Sequence, residues 1–172
     1  MNTLRLNEGG QIDRGRPLNF QFNGKNYTGY QGDTLASALL ANGVHVMARS
    51  FKYHRPRGPL SAGSEESNAL VQLETGGFTV PNCPATMVEL YDGLVANSQH
   101  CWPSVNFDVA AITTYFARLF PAGFYYQTFR WPKSLWMTYE EIIRGSAGLG
   151  KSPRETDPNH YDHQHTYCDI LV

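Results

Sequence analysis

A cluster of basic side chains falls within a loop-like stretch and is the first feature of the sequence that could bind a ligand. The cluster consists of Arg49, Lys52, His54, Arg55 and Arg57. Such a charge run usually forms a solvated loop, and Glu65 and Glu66 offer carboxylates for salt bridges. Guanidinium groups also match the oxygens of phosphates and carboxylates. Arg55 and Arg57 are therefore candidate ligands for a cofactor phosphate, or for an acidic face of a neighbouring domain or subunit.

A second group of possible ligands lies near the end of the chain. The group consists of His160, Asp162, His163, His165 and Cys168. Zinc binds imidazole nitrogen and thiolate sulfur, so this group of residues is a possible zinc site. The intervals match no established zinc-binding pattern, and Cys168 adjoins an apolar stretch. We expect a solvated linker here and assign no metal ligand.

Composition and charge narrow the class of protein. Of the 172 residues, 41% are hydrophobic and 17% are charged, which predicts a folded chain. The net charge of −1 provides no general attraction for nucleic acid, and no stretch approaches the roughly 20 apolar residues that span a membrane. Three cysteines without C-x-x-C spacing predict no disulfide framework and a reducing compartment. We expect a cytoplasmic protein that binds neither nucleic acid nor membrane.

The first hundred residues carry the signals of a small mixed sheet. Alternating apolar residues predict a strand over 18–22, the Asn23–Gly24 pair predicts a hairpin turn, and a returning strand follows at 27–30. Asp33 or Thr34 is expected to cap a helix that ends at Gly43. Strand character resumes at 44–47. Hairpin, helix and strand in this order open a β-grasp fold.

Further strands are predicted beyond the basic loop. The stretch 49–67 is loop-like, because it contains several prolines and glycines. Strands are expected at 68–74 and 78–80, on either side of a Gly76–Gly77 turn, and 87–90 is a candidate for the last strand or an edge strand.

From about residue 98 the chain becomes rich in aromatic residues and proline. Helical spacing is predicted within 109–119 and 135–147. The aromatic side chains lack a basic stripe, so a nucleic-acid stacking surface is disfavoured, and packing in an interface or an inter-domain core is expected. Polar residues 148–164 have the composition of a linker. The apolar stretch 168–172 resembles the first strand of a dinucleotide-binding unit.

These features divide the chain into four segments. They are an N-terminal arm (1–17), an α+β domain of β-grasp type (18–97), a mostly helical, aromatic-rich extension (98–150), and a linker with the first strand of a truncated dinucleotide-binding domain (151–172). The polar arm is expected to be ordered only where something docks it.

The loop before the strand at 68–74 has the spacing, but not the ligands, of a plant-type [2Fe–2S] cluster site. Such sites use C-x4-C-x2-C and a later fourth cysteine. Ser61, Glu66 and Ala69 stand at these intervals, and Thr86 is the best candidate for the fourth position. The irons need thiolate sulfur, Ala69 offers no ligand atom, and residues 1–82 contain no cysteine. We therefore predict a ferredoxin-like β-grasp domain without a cluster, in which hydrogen bonds replace the metal.

Four long strings give the sequence a specific resemblance to a known family. They are GDTLASALLANGVH, RSFKYHRPRGPLSAGSEESNALVQLE, VELYDGLVANSQHCWPS and FPAGFYYQTFRWP, all between residues 32 and 132. With these strings the chain resembles the N-terminal region of the α subunit of heterotetrameric sarcosine oxidase.

The resemblance implies an oxidoreductase acting on CH–NH donors with oxygen. That family demethylates sarcosine to glycine with release of hydrogen peroxide, and a one-carbon unit passes to tetrahydrofolate. The parent enzyme implied carries FAD, FMN and NAD, and the partners implied are the remainder of the α subunit and the other subunits. Sarcosine oxidation belongs to the β subunit of the family. This segment is therefore expected to be structural, with no catalytic residue and no cofactor of its own.

Other functions stay open at this point. One is an electron-transfer protein, which the missing thiolates oppose. Another is a stand-alone ferredoxin-like module that binds a nucleotide, which only the basic loop supports. A third is a subunit of a related amino-acid or opine dehydrogenase.

Overall fold

The fold is a mixed sheet covered by one helix, as the α+β prediction requires. The computed structural model describes residues 4–116, 131–147, 150–165 and 167–169. The strands of the main sheet are β1 (Asp13–Phe22), β2 (Lys25–Gln31), β5 (Leu70–Leu73), β6 (Val80–Pro84) and β7 (Val95–Ser98). A second, two-stranded sheet pairs β3 (Ala48–Arg49) with β4 (Pro56–Arg57). The helices are α1 (Leu35–Ala41) and α2 (Trp136–Ala147).

The strand order of the main sheet is β2-β1-β7-β5-β6. β7 runs parallel to β1 and antiparallel to β5, so the first and last strands lie side by side at the centre of the sheet. This is the arrangement of the predicted β-grasp. The predicted hairpin turn is confirmed, because Phe22 pairs with Lys25 across Asn23 and Gly24, whose φ angles are 51° and 74°.

Helix α1 begins where the sequence predicts. Thr34 is the N-cap, and its side chain and that of Ser37 form a reciprocal capping box. The helix ends at Asn42 and Gly43, and Gly43 has a φ of 78°, a conformation that glycine adopts without a steric penalty.

The core lies between α1 and the sheet. It combines large side chains of the sheet with the apolar face of the helix, including Phe22, Leu35, Leu39, Val71 and Leu94. Gly29 on β2 permits this packing. A Cβ atom at this position would meet the Leu90 side chain and lie 3.0 Å from the Ala38 Cβ.

The N-terminal arm is shorter than the sequence predicts. The first strand was expected at Leu18 but begins at Asp13, so part of the stretch assigned to the arm belongs to the sheet. The remaining arm docks on the helix, since the Leu4 backbone N–H donates to the Ala41 carbonyl over 2.8 Å and Arg5 pairs with Asp33.

Three strand predictions need correction. The stretch 44–47 is not a strand; the following residues form β3, which pairs with β4 inside the predicted loop. The strand expected at 78–80 begins at Val80, because a 3-10 turn occupies Gly76–Phe78. The final strand is β7 and not 87–90, where the structure has only an isolated bridge between Thr34 and Glu89.

The extension beyond residue 98 is only partly described. Val109–Thr114 forms a 3-10 helix and not an α-helix, consistent with its β-branched residues. The helical prediction for 135–147 is confirmed by α2. Most of the aromatic block and of the terminal apolar strand lies at 117–130 and 170–172, outside the described residues. Within the described part of the chain, no helix is both long and apolar enough to cross a membrane.

Candidate functional site

The loop between β4 and β5 closes around the carboxylate of Glu66. The backbone N–H groups of Leu60 and Ser61 donate to Oε2 over 2.5 and 2.8 Å. Those of Asn68 and Ala69 donate to Oε1 over 2.5 and 3.1 Å. Both carboxylate oxygens are thus used, and the residue is only 4% exposed. The arrangement is an anion held in a nest of backbone amides.

Glu66 is held in its ionised form despite being buried. Burial alone raises the pKa of its carboxyl group, because it disfavours the charge. The hydrogen bonds from Ser61, Asn68, Leu60 and Ala69 outweigh burial, and the pKa lies below its ordinary value. The loop therefore contains a fixed negative charge.

The four residues at cluster spacing converge on this loop. Ser61 and Ala69 each bind the Glu66 carboxylate through their backbone N–H groups. The Thr86 hydroxyl donates to the carbonyl of Gly63, in the middle of the same loop, over 2.9 Å. The backbone N–H of Ala85, the residue before Thr86, donates to the Ala69 carbonyl over 2.9 Å. This bond holds Thr86 close to Ala69.

The side chains at these positions do not fit a [2Fe–2S] cluster. Such a cluster needs thiolates, whereas the chain offers a buried hydroxyl at Ser61, a carboxylate at Glu66 and a methyl group at Ala69. The Ser61 hydroxyl has no hydrogen-bond partner among the described residues. In a cluster site, backbone amides donate hydrogen bonds to the sulfur atoms. In this loop, four backbone amides donate to the oxygens of Glu66. Cys83, nearest in sequence to Thr86, is half-buried on β6, and burial raises the pKa of its thiol.

A buried ionic network lies on the β3–β4 hairpin. His54 Nδ1 is 2.7 Å from Asp108 Oδ2, and Arg49 Nε is 3.7 Å from the same oxygen. Arg49 also donates from Nε to the Val105 carbonyl over 2.7 Å and from Nη1 to the His54 carbonyl over 2.8 Å. Asp108 Oδ1 accepts from the backbone N–H groups of Trp102 and Ala110 over 3.0 and 3.2 Å. The network fastens the hairpin to residues 102–110.

The expectation that Glu66 pairs with the basic cluster is wrong. Both Glu66 oxygens bind backbone amides, and the counterion of Arg49 is Asp108. The Arg55 guanidinium is exposed and lies 5.1 Å from the centre of the Tyr53 ring, in cation–π geometry. Arg57 is half-buried and pairs with Ala48 through its backbone. Their predicted role as cofactor ligands stays a prediction.

Sequence reasoning did not anticipate Asp108 or His100. Asp108 caps the 3-10 helix Val109–Thr114, a local signal that could have marked it. His100 is 8% exposed, and its Nε2 has no partner among the described residues. Burial lowers the pKa of His100 and raises the pKa of the neighbouring Cys101. His54 and His100 both have positive φ angles, of 52° and 58°.

The histidine-rich stretch near the end of the chain is exposed. His160, His163 and His165 lie in a segment without helix or strand. Among the described residues, no three His, Cys, Asp or Glu side chains are grouped so that they could hold a metal ion.

The mixed sheet with its single covering helix in residues 13–98 is the fold of a ferredoxin-like domain. The chain belongs to the family described as the 2Fe-2S iron-sulfur cluster binding domain, whose family model matches residues 15–101, about half of the chain.

Among individual proteins, the chain is similar to sarcosine oxidase α subunits. It is 53% identical, over its full length, to the sarcosine oxidase subunit alpha of Rhizobium meliloti (strain 1021) and covers 18% of that protein. It is 32% identical to the subunit of the same name from Corynebacterium sp. (strain P-1), with 94% of this chain and 12% of that protein aligned. The chain thus spans less than a fifth of the length of these relatives.

Part of the chain is also similar to a solved structure. L-proline dehydrogenase from P. horikoshii matches 51% of this chain and 16% of its own chain, with 28% identity and a TM-score of 0.39.

Proposed function

We propose that this chain is a structural module of a sarcosine oxidase α subunit, in which a ferredoxin-like domain has exchanged its cluster for a buried carboxylate. The module shapes and supports a larger flavoenzyme and carries no electrons itself. It binds no cofactor and supplies no catalytic residue. The four segments predicted from the sequence remain the proposed domain division, with the first strand beginning at Asp13.

The observation that carries the proposal is the bonding of Glu66. A cluster loop must present its amides to an anionic centre, and an empty loop would leave four backbone N–H groups without protein partners, three of them part-buried and that of Ala69 buried. The Glu66 carboxylate accepts all four of these hydrogen bonds. The loop can therefore keep its shape without iron, and its substituted ligand positions cannot restore a redox role.

The activity of the parent enzyme comes from the similarity to sarcosine oxidase α subunits. On that basis the assembled enzyme oxidatively demethylates sarcosine to glycine, produces hydrogen peroxide and transfers a one-carbon unit to tetrahydrofolate. Its FAD, FMN and NAD are bound by the rest of the α subunit and by other subunits. This module contributes to assembly.

The test is the metal content of the full-length polypeptide, purified anaerobically with its partner subunits. We expect no iron and no acid-labile sulfide above background, and no visible absorption beyond that of the flavins. Iron and sulfide at about two of each per chain, the content of one [2Fe–2S] cluster, would overturn the proposal. A variant with cysteines at the four cluster positions, described in the Discussion, provides the positive signal for comparison.

A further inference from the structure

Residues 150–158, the first part of the predicted linker, lie against the ferredoxin-like domain, and we call them the strap. The Gly150 backbone N–H donates to Asn82 Oδ1 over 3.3 Å, and the Lys151 backbone N–H donates to Gln72 Oε1 over 3.4 Å. Gln72 is on β5 and Asn82 is on β6, the strand at the edge of the main sheet. The strap therefore begins on the outer two strands of the sheet.

Two side-chain amides form the surface that binds the beginning of the strap. The Asn82 backbone N–H donates to Gln99 Oε1 over 3.0 Å, and Gln99 Nε2 donates to Asn82 Oδ1 over 3.1 Å. Gln99 is 5% exposed, so this pair is fixed in the domain. The Asn82 oxygen that accepts from Gln99 also accepts from Gly150. The approach is close, because a Cβ atom on Gly150 would collide with the Pro81 side chain and the Gln99 amide nitrogen.

The other end of the strap contacts the 3-10 turn that precedes β6. A Cβ atom on Gly77 would lie 2.5 Å from the Thr156 carbonyl oxygen and 3.0 Å from Pro158 Cδ. A Cβ atom on Gly76 would lie 2.9 Å from a Glu155 carboxylate oxygen. Atoms this close to a Cβ would have to move, so the strap can lie here because both turn residues are glycines. The glycine pair thus makes room for the strap as well as forming a turn.

The composition of the strap favours one conformation. Pro153 and Pro158 fix their own φ angles and restrict the residues before them to extended conformations. Asp157 accepts hydrogen bonds from the Asn159 backbone N–H over 2.9 Å and from the Tyr161 hydroxyl over 2.6 Å. A segment that is already stiff loses little conformational entropy when it docks. A few backbone contacts can therefore hold the strap, although its residues are largely exposed.

We infer that the strap is a positioning element, which fixes the direction in which the polypeptide leaves the ferredoxin-like domain. A flexible linker would let the following part of the polypeptide sample many orientations. A strap bound at both ends allows few of them. The inference rests on the proposed function only in taking the chain to be part of a longer polypeptide, as in the sarcosine oxidase α subunits of which it covers 12% and 18%.

Trypsin cleavage of the full-length polypeptide, assembled with its partner subunits, tests whether the strap is bound. Lys151 and Arg154 are trypsin sites within the strap. We expect cleavage after them to be at least about tenfold slower than in a synthetic peptide of residues 146–164, because a docked segment must detach before a protease can bind it. Cleavage as fast as in the free peptide overturns the inference.

Two glycine substitutions test whether the protection comes from these contacts and not from another part of the enzyme. Gly77→Ala and Gly150→Ala place a methyl group in the contact at either end of the strap, and each should accelerate cleavage after Lys151 or Arg154 by about tenfold. Gly145→Ala is the matched control, because a Cβ atom there meets nothing within 4 Å, and it should change cleavage by less than about twofold. Cleavage of both strap variants at the wild-type rate contradicts the contacts.

The positioning itself is measured as a distance. Spin labels on unnatural amino acids at positions 25 and 162 of the full-length polypeptide lie in the β1–β2 hairpin and just beyond the strap. We expect one narrow distance distribution in the wild type and in Gly145→Ala, and a broader one in Gly77→Ala. A broad distribution in the wild type shows that the strap does not fix the exit direction.

The outcomes separate this inference from the proposed function, which the iron content tests. If the loop contains no iron and the strap is cleaved like the free peptide, the strap is wrong and the structural role of the domain stands. If iron and sulfide are found while the strap is protected in the wild type and cleaved in Gly77→Ala, the structural role without a cluster is wrong and the strap stands.

Discussion

Arg5 donates two hydrogen bonds to Asp33, from Nη1 to Oδ1 over 2.9 Å and from Nη2 to Oδ2 over 2.7 Å. Asp33 also accepts from the Tyr30 backbone N–H and the Ser37 hydroxyl, and it is 1% exposed. Burial raises the pKa of Asp33, but the hydrogen bonds from Arg5, Ser37 and Tyr30 outweigh it, so the pKa lies below its ordinary value. This pair joins the N-terminal arm to the start of α1.

Replacing Arg5 by alanine should release the arm and loosen the first turn of α1. The variant leaves Asp33 without its cation, and we expect a loss of about 2–3 kcal/mol in the local opening free energy of α1. Amide hydrogen exchange in peptides from residues 4–12 and from α1 measures this change in opening free energy. Arg16→Ala is the control, because its bridge to Asp13 is exposed and spans 3.4 Å, and it should change exchange by less than about 0.5 kcal/mol. Equal exchange in the two variants would contradict the docking of the arm.

Replacing Glu66 by glutamine should destabilise the loop even though size and shape are kept. The glutamine NH2 group must face two backbone N–H donors, either those of Leu60 and Ser61 or those of Asn68 and Ala69. Two hydrogen bonds are thus lost and the charge that strengthens the others is removed. We expect a loss of about 3 kcal/mol, measured by hydrogen exchange of the peptide 60–69. The exposed neighbour supplies the control, since Glu65→Gln should lie within about 0.5 kcal/mol of the wild type.

The loop should also be sensitive to acid. A carboxyl group whose pKa is lower in the folded state stabilises the fold above its unfolded value, 4.5 for Glu66, and loses this contribution as the pH falls through the folded pKa. We expect exchange in 60–69 to accelerate progressively below about pH 4.5, after correction for intrinsic rates. The Glu66→Gln variant should lack this acceleration. An identical pH dependence in both proteins would show that Glu66 does not control the loop.

Four substitutions should convert the loop into a cluster site. Ser61→Cys, Glu66→Cys, Ala69→Cys and Thr86→Cys together supply thiolates at positions that converge on one loop. After anaerobic reconstitution we expect about two iron atoms and two sulfides per chain, with the visible absorption of a [2Fe–2S] cluster. The matched control keeps Ala69 and carries the other three cysteines; it should incorporate much less iron. If the four-cysteine variant binds no more iron than this control, the assignment of the four positions is wrong.

Replacing Asp108 by alanine should detach the hairpin from the extension. The substitution removes the hydrogen-bond partner of His54 Nδ1 and the carboxylate that compensates the buried Arg49, and breaking such a buried ion pair typically costs about 3–5 kcal/mol. Hydrogen exchange should become faster in peptides from 48–57 and from 100–114. The exchange rates of peptides from 13–22 should not change. Asp162→Asn is the control, as Asp162 is exposed in the segment after α2. Protection in 48–57 equal to that of the control would contradict the role of the network.

The elements predicted well from the sequence are those whose signals are local. Asn23 and Gly24 determine the hairpin turn between Phe22 and Lys25. Thr34 and Ser37 determine the start of α1 through their capping box. Each signal spans only four consecutive residues. β7 was missed because its sequence is half polar and its strand character depends on pairing with β1 and β5, more than 20 residues away.

The spacing of Ser61, Glu66 and Ala69 drew attention to this loop, but the bonding within it was not predicted. That these are vacant cluster positions stays a prediction, supported by side chains that cannot ligate iron as thiolates do. That Glu66 turns inward to accept four amides depends on how the whole loop closes, for which no local pattern exists. The same is true of the pair formed by His54 and Asp108, which are 54 positions apart in the chain.

The place of β7 between β1 and β5 has a consequence for biosynthesis. The Gln21 backbone N–H donates to the Leu94 carbonyl over 2.8 Å, and that of Asn23 donates to the Ala96 carbonyl over 3.0 Å. Neither bond can form until the polypeptide has emerged from the ribosome past residue 98. Until then the hairpin and the later strands form two halves with open edges, and such edges can pair with other nascent chains. Because β7 is the last strand of the five-stranded sheet to be translated and pairs only with distant strands, we expect its insertion to be the slow step in folding this sheet.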